Sequence, residues 1–142
     1  MSNRDRLLAD LHNLQYDRQA IQLLHDDLAR ISNDLKDDML SPSELASLRE
    51  EHKCLTESLK LTVNHVARLE RLLGFLSPEE QLVLDRMLVH PYKRCTLDLM
   101  EELHCEMSSV YRLRAAAIEK LLHLRYGACA SADAIQASNR TE

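Results

Sequence analysis

Between Leu45 and Leu73 the apolar positions advance by alternating steps of three and four: Leu45, Leu48, His52, Leu55, Leu59, Thr62, Val66, Leu69 and Leu73. A run of this spacing lies along one side of an α-helix and nowhere on a strand, because a helix turns once in about 3.6 residues and a strand alternates every second one. The seam holds for about four heptads, with His52 and Thr62 as its polar members. Ser41-Pro42-Ser43-Glu44 precedes it, a capping serine, a proline in the first turn and a glutamate placed to complete a capping box. Upstream, from Arg4 to Asp38, a second stripe runs through Leu7, Leu11, Leu14, Ile21, Leu24 or Leu28, Ile31 and Leu35. In this reading Arg18 takes one seam position and the phase slips between Ile21 and Leu24, so the repeat is imperfect. Two long helices joined by a short loop fold back as an antiparallel hairpin, each roughly 45–50 Å long at 1.5 Å per residue.

A lone hairpin has little interior. Either each helix covers the other's stripe, giving a monomeric spacer, or two hairpins pair into a four-helix bundle. The second is the expectation here, a homodimer with Leu48, Leu55, Leu59, Val66 and Leu69 as its dimerisation residues. His52 in that seam makes assembly a candidate for pH control, although a seam histidine is more often simply tolerated.

Gly74 marks the end of the arm, and Ser77-Pro78-Glu79-Glu80 opens another helix with cap, proline and acidic first turn. It is expected to reach about Val89, supplying Leu82, Val83, Leu84, Met87 and Leu88 to a core, and to stop at His90-Pro91-Tyr92. Thr96 is then a good N-cap for a short helix whose apolar face holds Leu99, Met100 and Leu103. His104-Cys105-Glu106-Met107 interrupts, and Ser108 or Ser109 can cap the next helix, where Val110, Leu113, Ala117, Ile118 and Leu121 recur at helical spacing. Two helices around a tight turn, the second polar and cationic outside, form the helix-turn-helix plan, in which the second helix enters the major groove. The organisation expected is a helical arm over 1–75, a three- to four-helix module over 76–126 and a disordered tail over 127–142.

Composition agrees with an all-α chain. Among 142 residues, two glycines and three prolines leave little material for β-turns. No signal peptide is evident, since Leu7-Leu8 sits among Arg4, Asp5, Arg6 and Asp10, and no apolar run approaches the ~20 residues of a membrane span. A soluble cytoplasmic (or nucleoid-associated) protein is expected, with no membrane partner. Cys54, Cys95, Cys105 and Cys129 form no CxxC pair and read as free thiols. A zinc site from His90, Cys95, His104 and Cys105 is conceivable, but adjacent His104 and Cys105 are poorly placed to share an ion, and Cys105 reads as a small apolar residue. No glycine loop, nucleophile motif or metal-ligand run is present, so no catalytic residue, cofactor or small-molecule substrate is expected.

The lead-in LSPEEQLVLDRML (Leu76 to Leu88), with YRLR (Tyr111 to Arg114) and AIEKLLHL (Ala117 to Leu124), resembles region four of bacterial sigma factors. It is more closely similar to phage-encoded transcription regulators of the ArpU/RinA type. The resemblance spans about Leu76 to Leu124. It implies a DNA-binding protein of phage or prophage origin acting on late genes. Where that group usually has glycine in the turn this chain has His104, which must then adopt positive φ. Where it usually has alanine in the first helix this chain has Met100, so the helices must separate slightly or repack.

Charge bears on the partner. The chain carries a formal −5, and Leu76–Tyr126 alone has seven Lys/Arg against eight Asp/Glu. The cations gather, however: Arg112, Arg114, Lys120 and Arg125 against Glu119 from Ser108 onward, with Lys93-Arg94 before the motif. With double-stranded DNA as partner, Ser108 and Ser109 suit phosphate or base-edge contacts at the helix start. Tyr111, Arg112 and Ala115 would lie along the groove, Arg112 as the guanine reader. Lys93, Arg94 and Arg114 would neutralise backbone, and binding would be modest and salt-dependent. For each arginine the plain alternative is a solvated face, and for Tyr111 a ring packed on the preceding helix. The negative total supports a different class of function: a sigma-like or anti-sigma-type adaptor that binds RNA polymerase or another protein without touching DNA.

Overall fold

The computed structural model describes residues 1–128. It is all-helical, with no strand among the described residues. The elements are α1 (Asn3–Asp34), α2 (Pro42–Leu73), α3 (Pro78–Leu84) running on through a π-helical turn (Asp85–Val89), α4 (Cys95–Leu103) and α5 (Met107–Tyr126). Of the expected tail, Gly127 and Ala128 form a turn that ends α5, and the rest, Cys129 included, lies outside the described residues.

The helix starts follow their caps. Ser41 Oγ accepts from the Glu44 amide at 3.2 Å, one half of the expected box. At α3 the box is complete: Ser77 Oγ accepts from the Glu80 amide at 3.2 Å and Glu80 Oε1 accepts from the Ser77 amide at 3.0 Å. The expected helix from Pro78 to Val89 is present, but its last turn is π-helical. It closes where the His90 amide donates to the Asp85 carbonyl at 2.7 Å, five residues back.

The chain divides into two compact units, and the division falls inside the long helices. One unit is Tyr16–Arg68; the other joins Met1–Gln15 to the chain from Leu69 onward. A cut at residues 75 and 76 misses this, because Leu7 and Leu11 of α1 share a core with Leu76, Leu84, Ala117, Ile118 and Leu121. The start of α1 is part of the helix-turn-helix unit.

Within Tyr16–Arg68 the two helix segments pack as the expected antiparallel hairpin. Asp17 and His65 approach to 3.8 Å, and Ser32 Oγ lies 3.4 Å from His52 Nε2. The α2 seam matches expectation, since Leu45, Leu48, His52, Leu55, Leu59 and Thr62 are half-buried and their flanks exposed. Thr62 settles its hydroxyl on the Ser58 carbonyl at 2.8 Å. The α1 seam requires a correction. Arg18 is exposed and the seam passes through half-buried Asp17. Leu14, Asp17, Ile21, Leu24, Leu28, Ile31 and Leu35 then alternate by three and four with no phase slip; the repeat is regular with an acidic residue in it.

Among the described residues of the other unit, two apolar clusters stand out. The first contains Leu7, Leu11, Leu76, Leu84 and the far half of α5. The second holds Val83, Leu99 and Val110, ringed by Leu82, Met87, Met100, Leu103, Cys105 and Leu113. Met100 is accommodated at the edge of this second core, half-buried, instead of filling the space between the helices.

Candidate nucleic-acid interface

The turn between α4 and α5 depends on one strained residue. His104 takes a left-handed conformation, φ 52° and ψ 47°, the only positive-φ non-glycine among the described residues. The His104 and Cys105 amides both donate to the Met100 carbonyl, so α4 ends and the chain reverses at once. Imidazole tolerates this backbone better than a β-branched side chain would.

Two expected caps are not caps. Arg94, without a side-chain hydrogen bond, is the N-cap of α4, and Thr96 lies inside the helix. The reason is a turn in which the Cys95 amide donates to the Tyr92 carbonyl at 3.1 Å, starting the helix two residues early. Tyr92 is itself pinned: its hydroxyl donates to Asp98 at 2.9 Å and accepts from Arg86 at 3.1 Å, and Arg86 also pairs with Glu102 at 2.9 Å. Desolvation and then the Asp98 bond push the Tyr92 phenol above its ordinary pKa. At α5 the N-cap is Glu106, again with no side-chain bond, because the left-handed turn leaves Ser108 and Ser109 inside the first turn.

These starts fix what each face of α5 presents. Val110, Ala117, Ile118, Leu121 and Leu122 are buried. On the opposite side Ser108, Tyr111, Arg112 and Ala115 are exposed at steps of three, four and seven, forming one continuous stripe. Tyr111 is 46% exposed, so its ring does not rest wholly on α4. Ser109 is half-buried beside that stripe. Arg114 is half-buried on its flank, its Nε enclosed without a hydrogen-bond partner. Lys93 and Arg94 are exposed at the start of α4. The stripe therefore gathers Ser108, Tyr111, Arg112 and Ala115, while Arg114, Lys93 and Arg94 stand apart from it. Of the seam residues Leu48, Leu55, Leu59, Val66 and Leu69, the last two are buried within the chain and the others half-buried facing α1.

Ion pairs take up four of the module's eight acids, Glu80, Asp85, Glu102 and Glu119. Glu80, 5% exposed, binds Lys120 Nζ at 2.8 Å. That bond, ahead of the Ser77 amide, holds the Glu80 carboxyl below the usual glutamate range. Asp85 meets His90 at 2.9 Å and Glu119 meets Arg4 at 3.6 Å, while Asp98 and Glu102 belong to the Tyr92–Arg86 network. Arg125 pairs with Asp10. Lys93, Arg94, Arg112 and Arg114 are then the module's cations outside any salt bridge among the described residues. This partition was not readable in a charge count, since Lys120–Glu80 and Arg125–Asp10 join residues far apart in the chain. The Glu80 contribution has one local signal, the capping box at Ser77.

No group of three histidine, cysteine or carboxylate side chains gathers among the described residues. Cys54 is exposed, and its pKa is raised, chiefly by desolvation and then by Glu50. No helix among the described residues is long and apolar enough to cross a membrane. Comparison with known protein families, curated proteins and solved structures finds no match to this chain.

Proposed function

We propose that this chain is a DNA-binding transcription regulator of sigma-region-four-like design, phage or prophage derived, acting in the cytoplasm or at the nucleoid. The observation that carries the reading is the exposed stripe Ser108–Tyr111–Arg112–Ala115 on α5, directly after a left-handed turn and opposite a buried apolar face. A helix held so firmly by one side is available to a groove by the other. Arg112 reads guanine through its two-pronged guanidinium, and Ala115 allows close approach or contacts a thymine methyl. Ser108 and Ser109 donate to phosphate with the helix N-terminus behind them. Lys93, Arg94 and Arg114 supply the salt-dependent part. The cations outside salt bridges among the described residues, Lys93, Arg94, Arg112 and Arg114, are what the reading offers to phosphate and base edges against the negative total.

Selection from random genomic fragments at low and moderate salt tests this, wild type beside Arg112→Ala. Enrichment of one site, lost in the variant, is expected; no enrichment even at low salt refutes DNA recognition. A second reading keeps support from Leu97, Met107 and Tyr111, apolar or aromatic and 52%, 48% and 46% exposed on α4 and α5. Such residues suit a protein partner such as RNA polymerase, with the chain an adaptor that does not touch DNA.

A further inference from the structure

α5 begins with a line of exposed side chains that carry no charge. Met107, Tyr111 and Ala115 follow one another at steps of four, and all three are exposed, Met107 and Tyr111 at 48% and 46%. The line is about 12 Å long at 1.5 Å per residue, comparable to the width of the major groove. The next position along it is Glu119, whose carboxylate meets Arg4 at 3.6 Å, and there the apolar run ends.

Cations stand on both edges of this line. At about 100° per residue, Arg112 lies about 60° beyond Ala115 and Arg114 about 20° before Met107. Arg112 is exposed and Arg114 half-buried. Glu106, the N-cap of α5, lies about 100° before Met107, outside the Arg114 edge. An apolar line between two guanidinium groups fits a surface with apolar groups on its floor and negative charge along its walls. The major groove is walled by phosphates and has such groups on its floor.

Most of what base edges show in that groove is hydrogen-bonding: acceptors on guanine, a donor on cytosine, one of each on adenine. A thioether, a ring face or a methyl laid on such an edge takes away its water without replacing the hydrogen bond. The apolar group on the groove floor is the C5 methyl of thymine. We propose that Met107, Tyr111 and Ala115 read thymine methyl groups, so that the duplex site taken by α5 carries thymines beside the guanine read by Arg112. Thymine selection rests on the DNA-binding reading above and adds to it the chemistry that the helix chooses.

The intact chain is tested on the duplex it selects from random fragments. Each thymine of that site is replaced in turn by deoxyuridine, which removes the methyl and keeps the pairing. Kd is then measured by fluorescence anisotropy at one low salt concentration. Wild type is expected to lose about fourfold in affinity for each contacted methyl, the effect of exposing one buried methyl group. Met107→Gln with Tyr111→Gln should lose most of that discrimination. Its helical circular dichroism should not change, because both side chains are exposed. Equal affinity for the thymine and uracil duplexes overturns the proposal and leaves DNA binding standing. So does a selected site without thymine, or a double variant that discriminates as wild type does. No duplex bound even at low salt overturns both, and gives Met107 and Tyr111 to a protein partner.

Discussion

The two compact units are built from the same kind of helix and differ in how completely they close. In Tyr16–Arg68 only Ile31 and Val66 are buried hydrophobics, and a full seam of leucines is left half-covered. The unit formed by Met1–Gln15 and the chain from Leu69 buries the rest of the apolar core, including Leu7, Leu11, Leu84, Leu99, Val110, Ile118 and Leu121 at 0–1% exposure. Two helices in contact shield one line of side chains; several helices meeting at different directions enclose a volume. Regular sequence therefore does not imply a tight interior. The regular three-and-four seams of α1 and α2 run mostly through the looser unit.

The largest effect that would break this contrast concerns a fragment. Residues 76–128 contain every helix-turn-helix element but lack Leu7 and Leu11, and we expect no cooperative unfolding transition from them by circular dichroism. A sharp transition would show that α1 is dispensable to that core. Next come single cavities. Leu121→Ala should cost about 2–5 kcal/mol in urea unfolding of the intact chain, and Leu55→Ala, at a half-buried seam position, about 1 kcal/mol. Equal costs would erase the distinction between the units.

Glu80→Ala removes a cap and the bond to Lys120 together, an expected loss of about 1–3 kcal/mol. The same group gives a pH signature. Its folded-state pKa is depressed, so its stabilisation is present above the ordinary glutamate value and fades as pH falls through the lower, folded one. In Glu80→Gln that part of the acid-side slope should disappear from the pH dependence of urea unfolding. His104→Gly should raise stability by up to about 1 kcal/mol by relieving the left-handed backbone; a fall in Tm would show that the imidazole contributes contacts worth more than the strain. Smallest is Arg112→Ala, within about 0.5 kcal/mol of wild type by denaturation because its side chain faces outward. A large loss there would place Arg112 in the scaffold.

Local rules made much of this fold legible. Ser41 and Ser77 cap where their spacing to Glu44 and Glu80 requires, the helix stops before Pro91, and the α5 stripe Val110, Ala117, Ile118, Leu121 is buried. The exposed stripe Ser108–Tyr111–Arg112–Ala115 follows from the same periodicity. What escaped was non-local or chemically disguised. Asp17 and Arg18 are both charged, so hydropathy had no means of choosing which one the seam uses. Thr96 is a better intrinsic cap than Arg94, but the Tyr92 network starts α4 earlier. Nothing in the local pattern of α1 tells Leu7 and Leu11, which pack with α5, from Leu24 and Leu28, which do not.

The sharing of one core by Leu7, Leu11, Ile118 and Leu121 also has a bearing on the order of events at the ribosome. α1 carries apolar side chains whose partners on α5 are made only after α2, α3 and α4. The closing contact spans most of the chain, so its loop-closure cost falls due only when α5 appears. Until then Leu7 and Leu11 are exposed to solvent or to a chaperone, and the nascent chain is at its stickiest just before α5 is made.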